Sequence, residues 1–184
     1  PRLPKTCIIG AGSSGIAAAK VLAECGVPFD CFEKSDRVGG NWVFLAPSWT
    51  YASNNPLVFR QQPGKDPFIK DTKEAVAAAR ALNMNVALFP QPRFTVDANE
   101  FWKTAPRDST WWDNWFNHYR AFAVNFADMA TRSDAQTVIL GGDWIAPALP
   151  NGKLADGTPS GVPADAEARW LAIVAEVRQH YAGL

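Results

Sequence analysis

Residues 7–42 read CIIGAGSSGIAAAKVLAECGVPFDCFEKSDRVGGNW, and this stretch decides how the fold begins. Thr6–Ile9 is a short β-prone run, and Val27–Glu33 is a second one. Between them, Ser13–Cys25 is rich in alanine and has the composition of a helix. Two strands joined through a helix in this way are parallel, because the crossover returns the chain to the same end of the sheet. The stretch therefore predicts a β-α-β unit.

The turn between the first strand and the helix has the spacing G-x-G-x-x-G, formed by Gly10, Gly12 and Gly15. In this pattern the first glycine makes the tight turn, the second lets the backbone approach a pyrophosphate, and the third lets the helix pack closely on the strand. Ser13 and Ser14 open the helix, whose free N–H groups bind phosphate oxygens. The sequence therefore predicts a site for an adenine dinucleotide.

The end of the second strand supports the same prediction. Glu33 stands where a carboxylate accepts hydrogen bonds from ribose hydroxyls, and its charge would repel a 2′-phosphate, which disfavours NADP. Lys34 and Arg37 are either solvated charges or contacts to the nucleotide, since both stand close to Glu33 in the sequence. Gly40, after Gly39, lets the following loop pass close to the pyrophosphate. This combination is more typical of FAD-binding domains, so FAD is the predicted cofactor.

Residues 5–44, and FEKSDRVGGNWVF in particular, resemble the N-terminus of the flavin-containing monooxygenases and their Baeyer–Villiger relatives. The resemblance implies that the glycines hold the FAD pyrophosphate, that Glu33 holds the ribose, and that Gly40, Asn41 and Trp42 lie along the cofactor. The family performs NADPH-dependent oxygenation and needs a second G-x-G-x-x-G motif to bind NADPH, and no such motif follows Gly15 in this chain. The resemblance therefore implies a dinucleotide-binding fragment rather than a complete oxygenase.

Beyond residue 46 the composition changes. Residues 47–67 are crowded with proline, serine and asparagine, which predicts an irregular loop around one strand at Leu57–Phe59. Met84–Phe89 is a predicted strand that Pro90 and Pro92 stop. Thr137–Leu140 is a predicted buried strand.

Three helices are predicted between and after these strands. Asp71 is the predicted cap of a helix that runs to Leu82, with Glu74 completing a capping box. Asp165 is the predicted cap of a last helix that runs to about Tyr181. The longest helix is predicted from Thr110 to about Arg132. Its inward positions are Trp112, Trp115, Phe116, Tyr119, Phe122, Ala123, Phe126 and Ala130. In the last helix they are Trp170, Ile173, Val174 and Val177.

Strands and helices alternate throughout, which predicts an α/β protein built from parallel β/α units. A Rossmann-like βαβ segment, residues 1–46, would be joined to a partial (β/α) barrel or open sheet, residues 47–184, as two segments or as one merged domain. Exposed sheet edges of a half barrel would favour a homodimer.

The later segments carry a second resemblance. DTKEAVAAARALNMNVALFPQPRF, WWDNWFNHYRAFAVNFADMATRSDAQTVILGGDW and DAEARWLAIVAEVRQHY resemble consecutive units of a (β/α)8 glycoside hydrolase of the mannanase and galactanase type. The resemblance implies that Asp143 stands at the position of a catalytic acid, at the carboxyl end of the fourth barrel strand, where that family has glutamate. Trp111, Trp112 and Trp144 would then offer stacking faces to an oligosaccharide. The alternative is that Asp143 is a turn residue or a helix cap.

The composition limits the class of partner that the protein is expected to bind. The formal net charge is zero, which favours neither nucleic acid nor an acidic membrane surface, and no apolar run approaches the roughly 18 residues of a membrane span. Cys7, Cys25 and Cys31 are predicted to be reduced, buried thiols of a cytoplasmic protein, without the spacing of a metal site.

Three functions remain open at this point. The first is an FAD-binding fragment of flavin monooxygenase ancestry, with a small-molecule dinucleotide as its partner. The second is a carbohydrate-active barrel segment that acts on an oligosaccharide. The third is an engineered or accidental chimera of two folds without activity.

Overall fold

The computed structural model describes residues 6–9, 24, 29–32 and 42–183. It divides the chain into two compact units, Pro1–Val43 and Phe44–Leu184. The boundary between the units lies close to the predicted joint at residue 46. The functions assigned to the segments on either side of that joint stay predictions.

The first unit contains a parallel pair of strands, β1 (Thr6–Ile9) and β2 (Phe29–Phe32). Their register pairs Thr6 with Phe29 and Ile9 with Phe32. Both strands fall inside the runs that the sequence predicts. The predicted helix between them lies outside the described residues, except for Glu24, which is helical.

The remaining strands and helices lie between residues 42 and 180. The strands are β3 (Trp42–Leu45), which crosses the unit boundary, β4 (Ser48–Asn54), β5 (Leu57–Arg60), β6 (Asn85–Leu88), β7 (Gln91–Phe94) and β8 (Thr137–Val138). The helices are α1 (Ile69–Ala81), α2 (Ala98–Thr104), α3 (Ser109–Ser133), a 3₁₀ helix (Asp143–Ala148) and α4 (Ala166–His180).

The strands after residue 41 form two three-stranded sheets, with the orders β3-β6-β8 and β5-β4-β7. The pairs β6–β8 and β4–β7 are parallel, whereas β4 and β5 are antiparallel with an irregularity between Tyr51 and Ser53. Backbone hydrogen bonds from Phe89 N to Leu45 O (2.8 Å) and from Gln91 N to Pro47 O (2.9 Å) continue the pairing of β6 with β3 and of β7 with β4 beyond the ends of these strands. The predicted α/β class with parallel β/α units is therefore confirmed.

The loop predicted over residues 47–67 is wrong at residues 48–54, which form β4, whereas β5 (Leu57–Arg60) confirms the one strand predicted there at Leu57–Phe59. The contacts of Asp66 explain why β4 is not predicted from the sequence. Its buried carboxylate accepts hydrogen bonds from Ser48 Oγ (2.7 Å), Thr50 Oγ1 (3.0 Å) and Gln62 N (2.8 Å). The serine and threonine that look like loop residues are thus one buried face of a strand.

The predicted strand Met84–Phe89 is confirmed as β6 (Asn85–Leu88), which ends before Pro90, but the sequence does not predict the strand that follows it. Strand β7 begins at Gln91, directly after Pro90, and contains Pro92, which is the register partner of Trp49. β7 lies at the edge of its sheet, so the missing N–H of Pro92 interrupts no ladder on the outer side.

Helix α1 begins before the residue predicted to cap it. Phe68 is the N-cap residue, and Asp71 lies in the first turn, where its Oδ2 accepts a hydrogen bond from Phe68 N at 2.8 Å. Glu74 forms no capping box and instead lies 3.8 Å from Lys70 Nζ. The predicted cap is wrong because an aspartate that stabilises the first turn has the same sequence signature as one that precedes it.

Helix α3 confirms the predicted long helix and its inward face. Asp108 is the N-cap residue and accepts a hydrogen bond from Trp111 N at 2.8 Å. Asp134 ends the helix in the left-handed conformation, with φ of 58°. All eight predicted inward positions are buried. No helix in the described ranges has the length and apolar character needed to cross a membrane.

The face of α3 packs into a core of aromatic rings. The ring of Trp49 on β4 lies 5.8 Å from the rings of both Phe59 and Phe122. Tyr51 stacks on Phe59 with centroids 3.8 Å apart. Aromatic side chains each bury a large apolar area, so this cluster packs α3 against the sheet β5-β4-β7.

Helix α4 is held against α3 by ion pairs at its surface. Arg169 contacts Asp113 at 2.6 Å, and Arg120 contacts Glu176 at 3.1 Å. Asp165 is the N-cap residue as predicted, but its carboxylate accepts from Arg169 Nε rather than from the backbone.

Burial along α4 differs from the prediction at one position. Ile173 and Val177 are buried and Trp170 is half-buried, whereas Val174 is 45% exposed. The predicted inward position of Val174 is wrong, because α4 presents only a narrow stripe to α3.

Replacement of Phe122 by alanine tests the aromatic core. Phe122 is fully buried between Trp49 and Phe126, so we expect Phe122→Ala to lower the free energy of unfolding by about 3–5 kcal/mol. Val174→Ala is the matched control and should change it by less than about 0.5 kcal/mol. Urea unfolding of both variants measures the difference, and similar losses would contradict the packing of Phe122 in the core.

Candidate functional site

The first candidate site is the segment around β1 and β2. The predicted glycine motif begins directly after Ile9 in the sequence, and Glu33 directly follows Phe32. Ile9 and Phe32 are partners in the parallel pair. The two strands that the dinucleotide prediction requires are therefore present, parallel and in a register that pairs the last residue of each.

Most residues predicted to bind the cofactor lie outside the described ranges, and their assignment stays a prediction. They are Gly10, Gly12, Ser13, Ser14, Gly15, Glu33, Lys34, Arg37, Gly40 and Asn41. Trp42 is described: it begins β3 and is 39% exposed.

The second candidate site surrounds Asp143, beyond the carboxyl end of β8. Gly141 adopts φ of +100°, and Gly142 is extended before the 3₁₀ helix that Asp143 begins. The carboxylate of Asp143 is exposed. The sequence predicts correctly that Asp143 follows the strand that ends at this edge of the sheet, whereas its catalytic role stays a prediction.

A cleft of about 560 Å³ opens beside Asp143. Its lining includes Phe89, Gln91, Asn99, Gly142, Asp143 and Trp144. Gln91 Nε2 and Trp144 Nε1 are buried and have no hydrogen-bond partner among the described residues. The side chains of Gln91, Asn99 and Asp143 thus line one concave surface, where amide and carboxylate groups can donate to and accept from a neutral ligand that carries hydroxyl groups.

Gln91 and Asn99 are absent from the residues that the sequence predicts for this site. Gln91 follows Pro90 and β6, and residues at the carboxyl ends of parallel strands meet at one edge of the sheet. That rule, applied to β6 as well as to β8, would have found Gln91. Asn99 comes from α2, a short helix that the sequence patterns do not predict.

The predicted stacking role of two tryptophans is wrong. Trp111 and Trp112 are buried in the aromatic core, and Trp111 Nε1 donates to Asn54 O at 2.7 Å. Their rings are therefore unavailable to a sugar. Trp144 is half-buried, lines the cleft, and packs against Tyr119 with centroids 5.7 Å apart.

The acidic groups near the cleft limit its chemistry. Among the described residues that line it, Asp143 is the one carboxylate. Glycoside hydrolysis in its usual form uses two carboxyl groups on either side of the bond. In the ranges that the structure describes, no group of three or more His, Cys, Asp or Glu side chains is arranged to hold a metal ion.

Comparison with known proteins supports the first site. Residues 8–47 match the family of NAD(P)-binding Rossmann-like domains. Flavin-containing monooxygenase 3 of Rattus norvegicus is 52% identical over 40 residues, 22% of this chain and 8% of that protein. Senecionine N-oxygenase of Tyria jacobaeae is 45% identical over 40 residues, 22% of this chain and 9% of that protein. The chain therefore spans less than a tenth of the length of these relatives.

These matches confirm the resemblance stated from the glycine motif and from FEKSDRVGGNWVF. The N-terminal segment is similar in sequence to NAD(P)-binding Rossmann-like domains and to a 40-residue part of the flavin monooxygenases. The matched region covers about a fifth of the chain, so it characterises this segment alone.

Solved structures of GH113 β-mannanases are similar in fold to this chain. The structure of a GH113 β-1,4-mannanase complex has a TM-score of 0.57 at 19% identity, over 78% of this chain and 43% of that chain. The GH113 β-mannanase of Alicyclobacillus acidocaldarius has a TM-score of 0.52 at 20% identity, over 100% of this chain and 52% of that chain. This chain thus spans about half the length of these (β/α)8 barrels, and the likeness shows a barrel-type fold.

Replacement of Gly141 by alanine tests the turn that precedes Asp143. A Cβ at Gly141 would lie 2.8 Å from Ile145 Cδ1, in a backbone conformation that disfavours side chains. We expect Gly141→Ala to lower the free energy of unfolding by about 2 kcal/mol or more. Gly157→Ala, with φ of +83° and open space around its Cβ, should lower it by about 1 kcal/mol. Urea unfolding compares the two, and a smaller loss for Gly141→Ala would contradict this geometry.

Proposed function

We propose that residues 1–46 bind FAD rather than NADP. The observation that carries the proposal is the parallel pair β1–β2, whose paired last residues Ile9 and Phe32 precede the glycine motif and Glu33. The family match over residues 8–47 and the flavin monooxygenases among the relatives support it. The proposal concerns binding, because the chain matches only a small part of the complete oxygenases.

The residues of the motif have distinct parts in this proposal. Gly10, Gly12 and Gly15 admit the pyrophosphate, with Ser13 and Ser14 at the helix start. The carboxylate of Glu33 accepts hydrogen bonds from the ribose hydroxyls, and its negative charge repels a 2′-phosphate. Bound FAD would supply redox chemistry through its isoalloxazine ring, and the segment would supply the binding and orientation of the adenosine half.

A thermal melt of the full chain with added FAD tests this proposal. At a free concentration of 100 Kd, FAD should raise the free energy of unfolding by about 2.7 kcal/mol and raise Tm, whereas NADP should leave Tm unchanged. Glu33→Ala should weaken FAD binding by about tenfold or more, because it removes charge-assisted hydrogen bonds. Glu167→Ala on the exposed side of α4 is the control. A colourless protein whose Tm does not respond to FAD would refute the proposal.

The cleft beside Asp143 supports a second candidate function, binding of an oligosaccharide. The specific observation is that the side chains of Gln91, Asn99 and Asp143 line one cleft. Sugar hydroxyls both donate and accept hydrogen bonds, so they match the amide and carboxylate groups of these side chains. Hydrolysis forms no part of this proposal, because the cleft holds one carboxylate among its described residues.

Binding of a mannan oligosaccharide, measured by calorimetry, tests the second candidate. We expect Asp143→Asn and Gln91→Leu each to weaken binding by about tenfold, because each removes a hydrogen-bonding group from the cleft. Asp113→Asn, which alters an exposed carboxylate on α3, should leave binding unchanged. Heat of binding that persists undiminished in both cleft variants would show that the sugar binds elsewhere, and no binding to the unaltered chain would remove this function.

Two further predictions belong with these proposals. A homodimer is favoured by the exposed edge of β8, which in the described part of the chain pairs with β6 alone. A cytoplasmic location is favoured by the three cysteines, which lack the even count of a disulfide framework.

If neither FAD nor the oligosaccharide shifts Tm, the remaining hypothesis is a chimera of two folds without activity.

A further inference from the structure

The lining of the cleft beside Asp143 includes residues from two elements that are distant in sequence. Ala98 and Asn99 belong to the start of α2, whereas Asp143 and Trp144 belong to the start of the 3₁₀ helix. The two elements pack against each other. The separation of the Asn99 amide from the Asp143 carboxylate therefore depends on what fixes α2 to the 3₁₀ helix.

A hydrogen bond joins these two elements directly. The indole Nε1 of Trp102 donates to the carbonyl oxygen of Trp144 at 2.8 Å. Trp102 lies three residues after Asn99 on α2, so the two side chains leave the helix on the same side. Trp144 directly follows Asp143 in the sequence. The bond therefore connects the backbone beside the Asp143 carboxylate to the helix that carries the Asn99 amide.

The sequence of the 3₁₀ helix explains why the carbonyl of Trp144 accepts from a side chain. In a 3₁₀ helix each carbonyl accepts a hydrogen bond from the N–H group three residues later. The third residue after Trp144 is Pro147, which has no N–H group. The indole of Trp102 thus supplies a donor at a position where the 3₁₀ helix itself has none.

Packing on α3 holds both tryptophans in place. Trp102 is 3% exposed, and its ring lies 5.5–5.9 Å from the rings of three tryptophans of α3, which are Trp111, Trp112 and Trp115. The ring of Trp144 lies 5.7 Å from that of Tyr119, on the same helix. Because side chains packed on a rigid element keep their orientation, the indole N–H of Trp102 remains directed at its acceptor.

We propose that Trp102 is a positioning residue of the cleft: its hydrogen bond to Trp144 fixes the 3₁₀ helix to α2 and thereby sets the separation of Asp143 from Asn99. Trp102 itself does not line the cleft, so it acts through the residues that do. The inference rests on the second candidate function for its ligand, an oligosaccharide, whereas the connection between the two elements is independent of that ligand.

Calorimetric titration of full-chain variants with a mannan oligosaccharide tests this role. Trp102→Phe keeps an aromatic ring in the core and removes the N–H donor, so it should weaken binding by about fivefold, the usual effect of one lost hydrogen bond. Trp111→Phe is the matched control, because it removes a similarly buried indole whose N–H donates to Asn54 O, outside the cleft. It should change binding by less than about twofold. Equal weakening in the two variants would overturn the proposal.

Hydrogen exchange of backbone amides in the absence of sugar provides a second readout. The N–H of Ile145 donates to Gly142 O within the turn that carries Asp143. Trp102→Phe should raise the exchange rate of this amide by about fivefold more than Trp111→Phe does, because loss of the bond lets the 3₁₀ helix open away from α2. A similar rise in both variants would show that Trp102 acts only through general stability, and it would also overturn the proposal.

The two measurements separate this inference from the function on which it rests. If the unaltered chain binds no mannan oligosaccharide, the second candidate function fails, and the exchange rate of Ile145 still decides whether Trp102 fixes the 3₁₀ helix. If the unaltered chain and Trp102→Phe bind the sugar equally well, the second candidate function stands and the positioning role of Trp102 is refuted.

Discussion

The packing of α3 against β4 is the contact on which the longer unit depends. One helix of 25 residues presents an unbroken row of large side chains, and the residues of β4 that meet it are Trp49 and Tyr51. Rings of this size bury large areas, and their edge-to-face contacts fix the angle at which helix and sheet meet. The other layers follow from it: α4 packs on α3 through Trp170, and β5 completes the same aromatic cluster through Phe59.

The sequence predicts the helices and strands whose apolar side chains follow one regular pattern. Helix α3 is found with its whole inward face because eight apolar positions recur at helical spacing. β1 and β2 are found because apolar runs flank a glycine motif. β4 is missed because its buried residues alternate between aromatic and hydroxyl side chains, and the hydroxyl set is buried only through Asp66, which is distant in sequence.

The candidate sites, like the strands and helices, are predicted only in part. The position of Asp143 follows from a topological rule, since residues that end parallel strands meet at one edge. The surroundings of Asp143 do not follow from the sequence, because Trp111 and Trp112 at the start of a helix fit a ligand site and a core equally well. Their burial depends on α2, whose Trp102 lies against both of them. The predicted elements do not include that helix, although Asp97 and Glu100 have the spacing of a capping box, so the two outcomes were not distinguished from the sequence.

The buried carboxylate of Asp66 affects the register in which β4 pairs with its neighbouring strands. A shift of β4 by one residue would carry Trp49 and Tyr51 onto the carboxylate and bring Ser48 and Thr50 among the aromatic rings. The side chains on both faces of β4 would then meet unsuitable neighbours. Side chains alternate between the two faces of a strand, so a shift by one residue moves each of them to the opposite face. Asp66 therefore works as a discriminator between competing strand pairings: it penalises the wrong alignment even where the aromatic core alone would tolerate some slippage.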